Sequence, residues 1–491
     1  MSSTNRSRWI ALAVVCAGSL MNVLDTTIVG IALPAIRHDL GFSQVSLAWV
    51  VNSYLLAYGG FLLLGGRLGD LFGHRRLFTV AIVVFTLASL ACGLATGQAF
   101  LLVARAVQGV GGAVASAVAL SLAVSLFPEP RERAKAMGVY GMVSAGGGSI
   151  GVLLGGILTG LFTWHWIFLV NVPIGAMVAL ASVRLLPAPA RAASRDRLDV
   201  PGAVLVTVTV ILAVYAISNA GQHGWLSPGT STTLAAAVVL LAAFTVVEAR
   251  AAVPLIPLRL LRQRNVTVAS IIGVLWSASM FACFFVTTLY LQLVLRYSPL
   301  KTGVAFLPMN VIMAVLSAGL SARLVGRFGV KRPLVTGLLL AVAGLVLLGQ
   351  APTGGHYVGN VLPGMLLLGV GAGTAVAPLL LAATSNVPTR DSGLASGVAS
   401  TSFMLGGALG LAILVNFATS RTAHLLAAGQ GESAALTGGY HAAFLAGAAA
   451  AALAALACIC WLRPAAAPVP GPAAAKPTVE SELITAPSDA G

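Results

Sequence analysis

The chain has 491 residues, of which 58% are hydrophobic and only 8% charged, with a mean hydropathy of +0.96. Soluble globular domains carry about 25% charged residues, so a water-soluble fold is excluded. The net charge of +15 would suit nucleic acid only if gathered on one exposed surface; here it is split into short clusters between long apolar runs, which points away from nucleic acid and toward a lipid bilayer.

The first apolar run opens at Trp9 and holds Asp25 in its middle. Arginines precede it, as in a signal peptide, but the run is too long, contains an acid and meets no small-residue cleavage site, so it reads as an uncleaved span. Apolar runs of about 18 residues or more predict fourteen spans in all. Six are centred near Cys16, Leu55, Thr86, Ala113, Gly148 and Ala176, two near Ile211 and Leu240, and six near Phe281, Ile312, Ala341, Val370, Leu405 and Leu453. The expected domains are a six-helix bundle over 1–186, two additional central spans with their loops over 187–250, a second six-helix bundle over 251–462, and a disordered Pro- and Ala-rich tail over 463–491.

The basic residues orient these spans. Of 28 Lys and Arg, 23 fall on the side shared by the N-terminus and every second loop; Arg37, Arg296, Lys301 and Arg421 fall on the other, and Arg105 lies inside a span. The positive-inside rule then predicts cytoplasmic N- and C-termini. The five cysteines sit in apolar stretches without metal-ligand spacing, so neither disulfides nor zinc is expected. The seven histidines sit in loops or near span ends and receive no role.

The chain also repeats itself. "GRLGDLFGHRRL" (Gly66 to Leu77) matches "ARLVGRFGVKRP" (Ala322 to Pro333) at an offset of 256. "GVGGA" (Gly109 to Ala113) matches "GVGAG" (Gly369 to Gly373) at 260, and Arg131, Gly138, Gly147 and Gly151 match Arg390, Gly397, Gly406 and Gly410 at 259. Two six-span repeats in one orientation, flanking an extra pair, form a transporter architecture with its site between the halves. The repeat does not preserve charge: Asp70 pairs with Gly326, and Arg105 and Gln108 pair with Met365 and Leu368. Ion chemistry is therefore expected in the first half and a greasy substrate surface in both.

"GGRLGDLFGHRRLF" (Gly65 to Phe78) resembles the loop signature of the major facilitator superfamily, between spans two and three. "LDTTIVGIALP" (Leu24 to Pro34), "RAVQG" (Arg105 to Gly109) and "WHWIFLVNVPIG" (Trp164 to Gly175) resemble the first-, fourth- and sixth-span motifs of its fourteen-span drug:proton antiporters. One departure stands in span five. Gly138, Gly147, Gly151, Gly155 and Gly156 keep the antiporter-motif spacing, but Val152 replaces the expected kink-forming proline.

The resemblance implies an all-α major facilitator fold. It also implies a proton-coupled exporter of hydrophobic, amphipathic or cationic drugs, antibiotics or secondary metabolites, working by alternating access in the cell membrane. Asp25 and Arg105 are the proton-coupling candidates, since a buried carboxylate costs several kcal/mol without compensation. Asp25 is expected to face the central cavity and exchange a proton there, with Asn22 and Gln108 as polar cavity residues. In the resembling loop, Gly66, Asp70, Gly73, Arg75 and Arg76 would form a cytoplasmic gate, with Asp70 latching it. The span-five glycines serve either coupling or simple close helix packing. No cofactor or metal is expected; the partners are a small hydrophobic or cationic substrate, protons and lipid, with a monomer as the working unit. A proton-coupled importer or facilitator is the first alternative, and a membrane-embedded enzyme or sensor the second. No catalytic cluster and no GxxxxGK[ST] phosphate loop supports an enzyme or ATP-driven transport.

Overall fold

The computed structural model describes residues 3–127, 129–186, 199–224, 226–251, 254, 258–385, 387–388 and 391–463. Arg191, Arg195, Arg197, Arg390 and the expected tail over 464–491 lie outside them. Among the described residues every regular element is helical, as an apolar bilayer demands when no water is present to satisfy backbone N–H and C=O groups. Helices α1 (Ser3–Leu40), α2 (Gln44–Phe72), α3 (His74–Gly93), α4 (Gln98–Leu126), α5 (Pro130–Leu161) and α6 (Asn171–Leu185) make the first half. The pair α7 (Val200–His223) and α8 (Pro228–Arg250) follows. The second half comprises α9 (Arg264–Leu289), α10 (Pro299–Val315), α11 (Lys331–Leu348), α12 (Leu362–Thr384), α13 (Ser392–Ala427) and α14 (Glu432–Trp461).

Among the described residues thirteen helical stretches are long and apolar enough to cross a membrane. The remaining expected span, near Ile312, has an apolar helix of only 17 residues, Pro299–Val315. It continues without a break through a π-helical turn, Leu316–Leu320, into the polar-faced Ser321–Phe328. The crossing is thus completed by a more polar stretch, which a purely apolar length criterion misses. Helix starts are written locally: Ser43 accepts a hydrogen bond from the Ser46 amide to cap α2, and Ser298 does so from Lys301 to cap α10, with Pro299 in the first turn.

The repeat is visible in the packing. In the first half α1 packs on α5, and both α2 and α3 pack on α4; in the second, α9 packs on α13, and both α10 and α11 pack on α12. Gly73 and Gly329, matched at offset 256, end α2 and the α10 extension with φ of 86° and 74°. That left-handed conformation strains any residue with a Cβ. The halves meet along two seams related by the same symmetry, α2 against α13 and α5 against α10. The pair α7–α8 docks on the first seam, where α7 touches both α2 and α13 and Asn416 Nδ2 donates to the Ile217 carbonyl at 2.6 Å.

Candidate functional site

Asp25 and Arg105 come together. The guanidinium Nη1 of Arg105 lies 2.5 Å from Asp25 Oδ2, and both side chains are buried, at 2% and 0% exposure. Gln108, one turn on along α4, donates from Nε2 to Asp25 Oδ1 at 2.7 Å and accepts from Arg105 Nη1 through Oε1 at 2.7 Å. Asn171, at the start of α6, donates to Oδ1 at 3.3 Å. Ser89 of α3 accepts from both Gln108 and Asn171, at 3.0 and 3.1 Å, and donates to the Phe168 carbonyl at 3.0 Å. Arg105 also donates to the Val50 carbonyl at 3.1 Å and lies 4.4 Å from the centre of the Tyr54 ring. Every named partner of the carboxylate is a donor, the arrangement that suits an ionised acid.

The network lies inside the first half, held by α1, α3, α4 and α6. The cavity between the halves lies elsewhere. It is a partly open cleft of about 260 Å³, walled by α1, α2 and α5 from one half and α9, α10, α12 and α13 from the other. On α1 its walls are Val23, Thr26, Thr27, Gly30, Ile31 and Leu33, and at about 100° per residue Asp25 projects from the opposite face. The expectation that Asp25 faces the central cavity is therefore corrected, and so is the cavity role given to Asn22 and Gln108, neither of which lines it. The helix is apolar nearly all round, so periodicity did not reveal which face meets the partner half. Gln108 belongs to the carboxylate network instead. Asn22 lies one turn from Asp25 and bonds to the Gly112 carbonyl and Ser116 of α4, at 3.1 and 3.0 Å. Further along the same stripe, Ser19 donates to Tyr140 Oη at 3.1 Å.

The span-five glycines divide by position. A Cβ on Gly147 would sit 3.0 Å from Leu20 and Val23, one on Gly151 3.0 Å from the Leu24 carbonyl oxygen, and one on Gly155 2.8 Å from that of Ile28. These three let α5 lie flush on α1 behind Asp25. A Cβ on Gly156 would instead meet the other half, 2.8 Å from the Pro299 carbonyl oxygen, and one on Gly303 of α10 would lie 2.9 Å from the Val152 carbonyl oxygen. Gly138 meets nothing within 4 Å. Their mates repeat the pattern, since Gly406 and Gly410 pack α13 against Val274 and Ala278 of α9. Val152, in the proline position, is buried and lines the cavity.

At the arginine-poor end the halves touch: Gln292 Nε2 donates to the Ile31 carbonyl at 2.8 Å, and Gln44 Nε2 to Tyr440 Oη at 3.3 Å. Toward the arginine-rich end a Cβ on Gly141 or Gly146 of α5, or on Gly319 beyond α10, would meet no described residue within 4 Å. The α5–α10 seam is tight at one end and loose at the other. In the loop motif, Arg75 donates to the Val183 carbonyl at the end of α6, and Thr79 beside it bonds Ser182 at 2.7 Å. A Cβ on Gly66 would meet nothing within 4 Å; Arg76 stays within the first turn of α3, and the Asp70 side chain lies outside the described residues.

Sequence reasoning missed Ser89 and Asn171 as partners of the carboxylate. Asn171 stood in the quoted "WHWIFLVNVPIG" as the only amide in that run, which was a signal; Ser89 carried none, because serines are common in membrane helices.

The family model described as Major Facilitator Superfamily matches residues 15–411. The puromycin resistance protein pur8 of Streptomyces alboniger is 42% identical over 422 residues, covering 86% of this chain and 84% of that protein. The cephamycin export protein CmcT of Amycolatopsis lactamdurans is 39% identical, covering 84% of this chain and 85% of that protein. Among solved structures, a bacterial homolog of the human lysosomal transporter Spinster, inward-facing and unoccupied, matches with a TM-score of 0.67 at 16% identity, over 94% of this chain and 99% of that one. That last likeness is one of fold.

Proposed function

The chain belongs to the major facilitator superfamily, and we propose that it is a proton-coupled exporter of hydrophobic or amphipathic drugs or secondary metabolites. It is a multi-pass membrane transporter; we place it in the cell membrane with cytoplasmic termini, because 23 of 28 basic residues gather at one end. The export reading draws on the relatives, whose names describe puromycin resistance and cephamycin export. The observation that carries coupling is the fully buried Asp25–Arg105 pair with donors aimed at both carboxylate oxygens.

In this reading the tight arginine-poor seam is the closed outer gate, and the cavity takes its compound from the cytoplasmic side. The helix α1 joins the two sites, with Asp25 on one face and the cavity wall on the other. Protonating Asp25 removes the charge that holds α1 to Arg105 of α4, so α1 is free to shift, and the cavity wall shifts with it. A coupling element must have two arrangements that both sites bias, and α1 meets that requirement. Ser19, Asn22 and Asp25, three residues apart on α1, supply a polar stripe toward the arginine-rich end along which a proton can leave.

The test is efflux of a compound panel from a pump-deficient bacterium expressing the chain, with and without a protonophore. Gradient-dependent export is expected. Efflux that survives collapse of the proton gradient would overturn the coupling.

A further inference from the structure

The cavity wall carries two hydrogen-bond donors that the protein does not use. Trp276 of α9 and Asn310 of α10 both line the cavity and are each 1% exposed. Trp276 Nε1 and Asn310 Nδ2 reach no acceptor among the described residues. The hydroxyls on the same wall are already committed: Thr26 and Thr27 donate to the Val23 carbonyl and Thr288 to that of Phe284. An N–H buried without an acceptor carries a desolvation cost that any suitably placed acceptor relieves.

The remaining wall is apolar and uncharged, with five phenylalanines set among aliphatic residues. Phe284 and Phe306 stack at 5.4 Å with 12° between their planes, and Phe281 meets Phe403 at 6.2 Å. Among the described residues no Asp, Glu, Lys, Arg or His lines the cavity, and Asp25 projects from the far face of α1. A cation entering it would exchange its water for ring faces, aliphatic side chains and a few neutral oxygens, with no carboxylate beside it, and leave both donors unanswered. Both N–H groups are occluded in this state, and a carbonyl or ether oxygen on a flat ring system is the group that would answer them once the wall shifts, with the rings taking its apolar faces. The volume of about 260 Å³ lies near the lower end of the roughly 300–1,000 Å³ of drug-sized pockets, which suits a compact ring system.

We infer that the cavity selects a compact, uncharged aromatic compound bearing a hydrogen-bond acceptor, with Trp276 and Asn310 as its specificity-determining residues. This rests on the reading above that the cavity between the halves holds the exported compound. It narrows the substrate class, which the sequence left open to cations.

The test is equilibrium binding to the full chain in lipid nanodiscs, using three flat probes of similar size. They are 9-fluorenone, which has a carbonyl acceptor, fluorene, which lacks it, and N-methylacridinium, which is permanently cationic. Fluorenone is expected to bind about tenfold more tightly than fluorene, the worth of one hydrogen bond to an otherwise unpaired donor. Trp276→Phe and Asn310→Leu should each weaken fluorenone by about three- to tenfold and leave fluorene unchanged; retained fluorene binding doubles as the folding control. Equal wild-type affinity for fluorenone and fluorene, equal loss of both probes in the variants, or tightest binding of N-methylacridinium would each overturn the inference. None of these measurements involves a proton gradient, so failure of the coupling reading and failure of this one are separately visible.

Discussion

Replacing Asp25 with Asn removes the titratable group while keeping its shape. The carboxylate accepts from Arg105 at 2.5 Å, Gln108 at 2.7 Å and Asn171 at 3.3 Å. An asparagine offers only one acceptor oxygen, so one of those donors faces an NH₂ group, at about 1–3 kcal/mol for a buried unsatisfied group. Breaking a buried ion pair from one side costs about 3–5 kcal/mol in all. Arg105 keeps its bonds to Gln108 and to the Val50 carbonyl, and its place over the Tyr54 ring, so the expected loss of stability is near the lower end, about 3 kcal/mol. The functional effect is larger. One proton crossing with a 100 mV potential releases about 2.3 kcal/mol, enough to sustain roughly a 50-fold substrate gradient, and the asparagine variant should sustain none. Proteoliposomes with an imposed proton gradient measure the accumulation ratio, and substrate counterflow in the same vesicles measures exchange without coupling. The expected result is lost accumulation with retained counterflow. An Asp25→Asn variant that still concentrates substrate in response to the gradient refutes the assignment and reduces the pair to packing.

The other predictions concern the track, the seams and the glycine stripe. Asn22→Leu removes the bonds to Gly112 and Ser116 and the middle of the polar stripe on α1; it should slow proton-driven efflux while sparing counterflow, and an equal slowing of both contradicts the track. Gln292→Leu deletes the bond to the Ile31 carbonyl across the arginine-poor end, worth about 1 kcal/mol. A spin-label distance across that end should then show about a fivefold larger open population, and an unchanged distribution argues against a gate there. Gly151→Ala forces a Cβ against the Leu24 carbonyl and should cost about 1–3 kcal/mol of stability by overpacking, whereas Gly138→Ala, in open space, should be neutral or stabilising by up to about 1 kcal/mol; thermal unfolding in detergent separates the two. Val152→Pro restores the motif residue, and its buried place on the cavity wall predicts a modest shift in substrate affinity with uphill efflux retained.

The spans, their pairing into halves and the buried ion pair were legible because each rests on a strong one-dimensional signal. Long apolar runs count helices, alternating arginine clusters check the count, and a lone acid and arginine in oil must meet something. The direction in which Asp25 points left no such signal. A helix facing lipid, bundle interior and cavity is apolar on every side, so no hydrophobic stripe marks its orientation. The structure settles it by the glycines: Gly147, Gly151 and Gly155 press α5 against Leu20 to Ile28, and this rotates the acid toward α4 and α6.

The same reasoning explains why Trp276 and Asn310 went unnoticed. Their importance lies in what they lack, an acceptor, and a missing partner becomes visible only once every neighbour has been placed. Within one helix-rich chain, then, charge asymmetry between repeats located the buried ion pair, whereas the substrate surface proposed above is written in the second half's uncharged donors, where composition reads only as grease. The two halves divide the work along that line. The first holds the buried carboxylate proposed to take up a proton, shielded from the cavity by the thickness of α1. The second supplies the unpaired N–H groups of the cavity wall. A charged compound and a proton competing for Asp25 directly would need that acid in the cavity; with Asp25 on the far face of α1, the proposed coupling would have to pass through movement of the helix itself, and an uncharged compound could drive that movement as well as a charged one.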